Sequence, residues 1–187
     1  FFIGHSAGSY FLNNIAKEYG SGFIQIGSAL NSGGNLPWEK NSLSNYPIPT
    51  MTIIGQKDGC INPFFLIDEL ENIKHLDNTE LKPVIIEDSL NHFQVSDDIE
   101  TKYSRVLNLN DIDSQIETDE MHDRLSLTIS EFICCCLNSS YKSDLLQDKV
   151  ITTKKKIELY NKKKLDIDKF TKEIQYDLIN PLFLIDI

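Results

Sequence analysis

The sequence predicts an α/β protein with a mostly parallel sheet and flanking helices, and three observations carry that reading. Short apolar runs recur at Phe1–Ile3, Phe23–Gly27, Met51–Gly55 and Pro83–Glu87. Stretches with helical apolar spacing lie between or after them. Glycine, proline and asparagine punctuate the joins. Strands that alternate with helices cannot pair through tight hairpins, so they line up in parallel.

Taken in order, Phe1–Ile3 reads as the end of a buried strand that turns at once into a helix over about Ser9–Glu18. Tyr10, Phe11, Asn14, Ile15 and Lys17 open the helical pattern, and Tyr19-Gly20-Ser21-Gly22 ends it. Phe23–Gly27 is a second strand. Residues 31–49 contain three prolines and Asn-Ser-Gly-Gly-Asn and read as loop, about twenty residues between strands and too short for a large helical lid. Met51–Gly55 is the third strand. Asn62-Pro63 then opens a helix to His75 with Phe65, Leu66, Leu70 and Ile73 on it. Pro83–Glu87 is the fourth strand. Met121, Leu125, Ile129, Phe132 and Ile133 mark an amphipathic helix over 119–137.

Two segments follow from this. Residues 1–140 form the α/β unit. Residues 141–187 read as a charged, Lys-rich extension, helical or disordered, because lysine triplets at 154–156 and 162–164 sit in a glycine-free stretch. Residues 151–187 hold eight lysines against six acids, leaving them near +2 and the rest near −12.

The net charge of −10 argues against nucleic acid or an anionic membrane as main partner. No apolar run is long enough to span a bilayer. Cys134, Cys135 and Cys136 are adjacent and Cys60 is remote. That arrangement suits neither a disulfide framework nor a zinc motif, so a reducing, cytoplasmic setting and no metal or cofactor are expected. The chain opens on Phe1 inside a strand that suits the middle of a sheet, so the expectation is the C-terminal half of a longer unit.

The chemistry-bearing stretch is Gly4-His5-Ser6-Ala7-Gly8, which fits the G-x-S-x-G nucleophile elbow. The tight strand-to-helix turn exposes the Ser6 hydroxyl, and side chains at Gly4 or Gly8 are expected to collide with neighbouring backbone. Two further groups follow in order. Asp58 lies just past the Met51 strand in Gly55-Gln56-Lys57-Asp58-Gly59, and His92 just past the Pro83 strand in Asn91-His92-Phe93-Gln94. Loops at the carboxyl ends of parallel strands share one rim, where Ser6, Asp58 and His92 converge.

With these residues the chain resembles the α/β-hydrolase fold family over Phe1 to Cys135, from the nucleophile strand onward. Tyr46-Pro47-Ile48-Pro49-Thr50, the Gly55–Gly59 turn, Asn91–Gln94 and Glu120-Met121-His122 are similar to a poorly characterised eukaryotic branch. The resemblance implies a nucleophile at Ser6, a base at His92 and an orienting acid at Asp58. It also implies an oxyanion donor at the Ala7 N–H, and a second donor on an earlier loop. The expected activity is serine hydrolysis of an ester or thioester of a small or medium acyl compound through an acyl-enzyme. The alternatives are a non-catalytic ligand-binding protein on that scaffold, or an acyltransferase. His5 is expected to pack against the elbow, Asp88 is the rival acid, and His75 closes a helix. His122 carries no chemistry, and Cys60 reads as packing near the acid turn.

Overall fold

The computed structural model describes residues 1–28, 46–64, 81–96 and 112–179, with side chains to residue 165. Four parallel strands lie side by side in chain order: β1 (Phe2–His5), β2 (Phe23–Ile26), β3 (Thr50–Gly55) and β4 (Val84–Glu87). Ile24 stands beside Ile3 and Met51, and Ile53 beside Ile26 and Ile85. Three helices are described: α1 (Ala7–Tyr19), α2 (Thr118–Leu137) and α3 (Asp144–Ile179). The architecture is a parallel sheet flanked by helices, a general α/β arrangement. The expected helix up to His75 and most of the proline-containing loop lie outside the described residues.

Side-chain alternation divides the core. Ile24, Ile26, Met51, Ile53, Ile85 and Leu90 face Met121, Leu125 and Phe132 of α2 and Leu146 of α3. On the other face Phe23 packs with Ala16 of α1 and with Tyr46. The Gln25 amide there donates to the Thr52 hydroxyl at 2.6 Å, satisfying a polar pair buried in adjacent strands. The Tyr46 hydroxyl donates to the Asn13 carbonyl at 2.6 Å, and burial pushes its pKa up to about 12.

One expectation is modified at the start of the chain, and the buried face of the first helix is settled. Among the described residues β1 lies at one end of the sheet and Ile3 is 50 % exposed, so the run is not buried on the side away from β2. In α1 the buried residues are Ser9, Asn13 and Ala16, whereas Tyr10, Phe11 and Ile15 face outward. The cause is the close approach of β1. A Cβ at Gly4 would lie 2.6 Å from the Ser9 Cα, so only small side chains fit that face.

The Lys-rich stretch is not a solvated extension over its described side chains. As α3 it runs along the outer edge of β4 and buries Leu146, Thr153 and Ile157. The Thr153 hydroxyl accepts the Ile86 N–H at 2.9 Å, and the Lys156 ammonium donates to the Ile86 carbonyl at 2.8 Å. Both outward backbone groups of an edge residue are thereby paired, the condition for burying a sheet edge. Lys149 pairs with buried Glu87, and Lys156 also reaches Asp88 at 2.7 Å.

This edge cover yields a stability prediction. Thr153→Val leaves the buried Ile86 N–H without an acceptor and lowers unfolding free energy by about 1–3 kcal/mol. Thr153→Ser keeps the oxygen and most of the stability. Urea unfolding followed by circular dichroism checks it; equal midpoints for the two variants contradict the edge-capping role.

Candidate functional site

The carboxyl ends of the strands assemble one cluster from three loops. At the end of β1, Ser6 adopts φ 51° and ψ −128°, a left-sided conformation that costs a non-glycine residue energy. It is held there by its N–H, which donates to the Ile26 carbonyl at 2.9 Å, and by its carbonyl, which accepts from Ser9 at 3.0 Å. Gly4 is required by the approach of Ser9. Gly8 is not, since a Cβ there would meet nothing within 4 Å, which corrects the expectation of a collision.

The turn after β3 positions Asp58. The Lys57 N–H donates to the Leu90 carbonyl at 2.9 Å, tying this turn to the loop after β4. Gly55 permits the approach, because a Cβ there would sit 2.3 Å from that carbonyl. Asp58 is 1 % exposed. Its Oδ1 accepts the backbone N–H groups of Cys60 at 2.9 Å and Ile61 at 2.6 Å, and its Oδ2 faces His92 Nδ1 at 2.8 Å. The carboxylate is fixed through both oxygens before any ligand arrives.

His92 is set by its neighbours in sequence. The Asn91 N–H donates to Gln94 Oε1 at 3.2 Å and the Gln94 N–H to Asn91 Oδ1 at 3.0 Å, a reciprocal closure that opens the short 3-10 turn Phe93–Val95. The Gln94 amide donates to the Ile116 carbonyl at 2.8 Å, and the His122 Nε2–H to the Gln94 carbonyl at 2.7 Å. The loop is thus pinned to α2 and to the segment before it. The Asn-x-x-Gln spacing was the available sequence signal for this closure. His122, assigned no chemistry from sequence, holds the loop that carries His92.

The expected site residues are therefore distributed as follows. Ser6 Oγ lies 2.9 Å from His92 Nε2, and Asp58 is on the ring's other nitrogen. Ala7 opens α1 directly after Ser6. The His5 ring lies against the His92 ring, centroids 4.8 Å apart, and its Nε2 is buried with no hydrogen-bond partner among the described residues. Asp88, the rival acid, pairs with Lys156 instead. His75 lies outside the described residues. Gly27 is a site residue that sequence reading missed. It has φ 57°, and a Cβ on it would stand 3.2 Å from both Asp58 Oδ2 and His92 Nδ1.

Cys60 changes the functional expectation. Its sulfur, a carboxylate oxygen of Asp58 and a ring nitrogen of His92 all lie within 4.8 Å of one another. Cys60 is exposed, whereas Asp58 and His92 are buried. It is therefore not packing near the acid turn. A second nucleophile-type group, more reactive than a hydroxyl at neutral pH, shares the same acid and imidazole. The expectation of a serine esterase or thioesterase working through a dedicated Ser-His-Asp triad is corrected on this finding to a Cys/His/Asp-type cluster. The signal was present as Asp58-Gly59-Cys60, but the spacing matches no familiar nucleophile or metal motif.

No family model, no curated protein and no solved structure matches this chain. Among the described residues no helix is long and apolar enough to cross a membrane.

The stacked histidine pair, His92 buried and His5 half-buried, gives a pH prediction. Burial, and secondly the neighbouring His92, lower the His5 pKa below its ordinary 6.5. Below about pH 6.5 the unfolded chain takes up a proton at this position that the folded chain refuses, so stability falls as pH drops toward the lowered value. Urea midpoints at about pH 7.5 and about pH 5.5 should therefore differ less in His5→Gln than in the parent chain. An unchanged difference removes His5 from the linkage.

Proposed function

We propose that this chain is an acyl-transfer protein related to the α/β-hydrolase fold, with a Cys/His/Asp-type centre made of Cys60, His92 and Asp58. The convergence of the three groups within 4.8 Å is the observation that carries the reading. Kinship to that fold is supported by the parallel sheet and by the strained strand-to-helix turn at Ser6.

In this reading Asp58, fixed by two backbone N–H groups, holds the imidazole with Nδ1 protonated. His92 takes the thiol proton, and the Cys60 sulfur attacks the carbonyl carbon of an acyl donor. The tetrahedral adduct collapses, and the leaving group departs with the proton from His92. An alcohol, amine or thiol acceptor then gives its proton to His92, attacks the thioester and frees Cys60. The Ala7 N–H, at the positive end of α1, is the proposed oxyanion donor. The Ser6 hydroxyl engages His92 Nε2. It must give way when the thiol uses that nitrogen.

A second reading, ligand binding without turnover, is favoured by one observation. Both His92 nitrogens already have partners, Asp58 and Ser6, so the thiol proton reaches the ring only if one of them is displaced.

The readings separate by covalent labelling of the full chain with iodoacetamide and with a fluorophosphonate, sites mapped by mass spectrometry. The acyl-transfer reading expects fast alkylation at Cys60 and a roughly 10²–10⁴-fold loss of acyl transfer in His92→Gln. It also expects loss of transfer in Cys60→Ala. Phosphonate labelling at Ser6, with Cys60→Ala fully active, overturns it. Saturable binding of a small acyl compound with neither residue labelled supports the second reading.

A further inference from the structure

The geometry points to a second property of the rim: Asp58, Cys60 and His92 form a binding site for a zinc-like divalent cation that competes with the site's use of its imidazole. This does not depend on which group attacks a substrate. The donor set is one thiolate sulfur, one imidazole nitrogen and one carboxylate oxygen, the mixture that borderline-soft ions such as Zn²⁺ and Cd²⁺ select over Mg²⁺ or Ca²⁺. Three protein donors leave a fourth position for water.

The distances and burial fit a site that closes on its ion. Tetrahedral zinc with bonds of about 2.0–2.3 Å brings its ligand atoms to roughly 3.3–3.8 Å from one another. The three atoms here stand within 4.8 Å, so Cys60 has about 1 Å to close, while the 2.8 Å contact between Asp58 Oδ2 and His92 Nδ1 opens by about half an ångström to admit the ion. Cys60 can make the larger movement, being the exposed member on the turn after β3, while Asp58 and His92 are held by backbone and loop contacts. Asp58 Oδ1 keeps its two N–H donors and orients the carboxylate, the supporting role that outer hydrogen bonds play for metal ligands. The imidazole nitrogen given to the ion comes from its contact with Asp58 or Ser6. Either loss stops His92 from acting as a base. Binding releases the thiol proton, and the proton of Nδ1 as well if that nitrogen ligates.

Cadmium titration of the full chain tests the proposal, because a cadmium thiolate gives an ultraviolet charge-transfer band that needs no enzyme assay. The band should be strong in the parent chain and lost in Cys60→Ser, an exposed position where the fold is retained. Zinc titrated calorimetrically should bind at least tenfold more weakly to Asp58→Asn and to His92→Gln. Zinc should also protect Cys60 from iodoacetamide. A band that survives whole in Cys60→Ser belongs to Cys134–Cys136 and overturns the site. So does zinc affinity that is equal in the parent chain and all three variants. Because these readouts follow the metal, they can fail while Cys60 still alkylates quickly, and the reverse.

Discussion

The contact between His92 Nδ1 and Asp58 Oδ2, 2.8 Å long and buried, is the interaction on which the rest of the rim depends. It joins the turn after β3 to the loop after β4, and every neighbouring feature serves it. Gly55 lets the two loops meet at the Leu90 carbonyl. Gly27 leaves the space beneath the pair. Two backbone N–H groups hold the free oxygen of Asp58, which offsets the desolvation of a buried carboxylate. Removing one partner would leave the other buried without compensation, which is why such pairs are rigid elements of a site.

The second constraint is the open edge of β4. A parallel strand with one bare edge exposes backbone donors and acceptors to any passing strand, and α3 removes that hazard with a hydroxyl and an ammonium placed on one residue, Ile86. The same helix decides which acid serves the site. Lys156 takes Asp88 and Lys149 takes Glu87, so the carboxylates next to His92 in sequence are neutralised by lysines, and the distant Asp58 faces the ring. The lysines thus act as local partners for acids within a chain of net charge −10.

Two nucleophile-type groups approach one imidazole from different elements. Ser6 comes from a strained turn at the start of α1 and Cys60 from the turn that also carries Asp58. A hydroxyl needs the base to become reactive, whereas a thiol at neutral pH is already partly thiolate. Sharing one acid–base pair makes their reactivities interdependent, because a neutral imidazole has one basic nitrogen and takes up one proton.

By itself the sequence determined the alternation of strands and helices, the order of the four strands along the chain, and the rim on which Ser6, Asp58 and His92 meet. Those follow from local chemistry: apolar runs, glycine turns, and the rule that parallel strands end on a common edge. Tertiary structure decided the rest. How far an apolar strand is buried depends on its neighbours, and Ile3, read as buried, is half exposed where no described strand flanks β1. Which face of α1 turns inward depends on how closely β1 approaches, so Ser9 and Asn13 are buried while Tyr10 and Phe11 face outward. The lysine-rich helix looked solvated because its partners, Ile86, Glu87 and Asp88, lie more than sixty residues away. Cys60 looked inert for the same reason: proximity to His92 is a property of two loops brought together by the sheet, and no spacing along the chain records it.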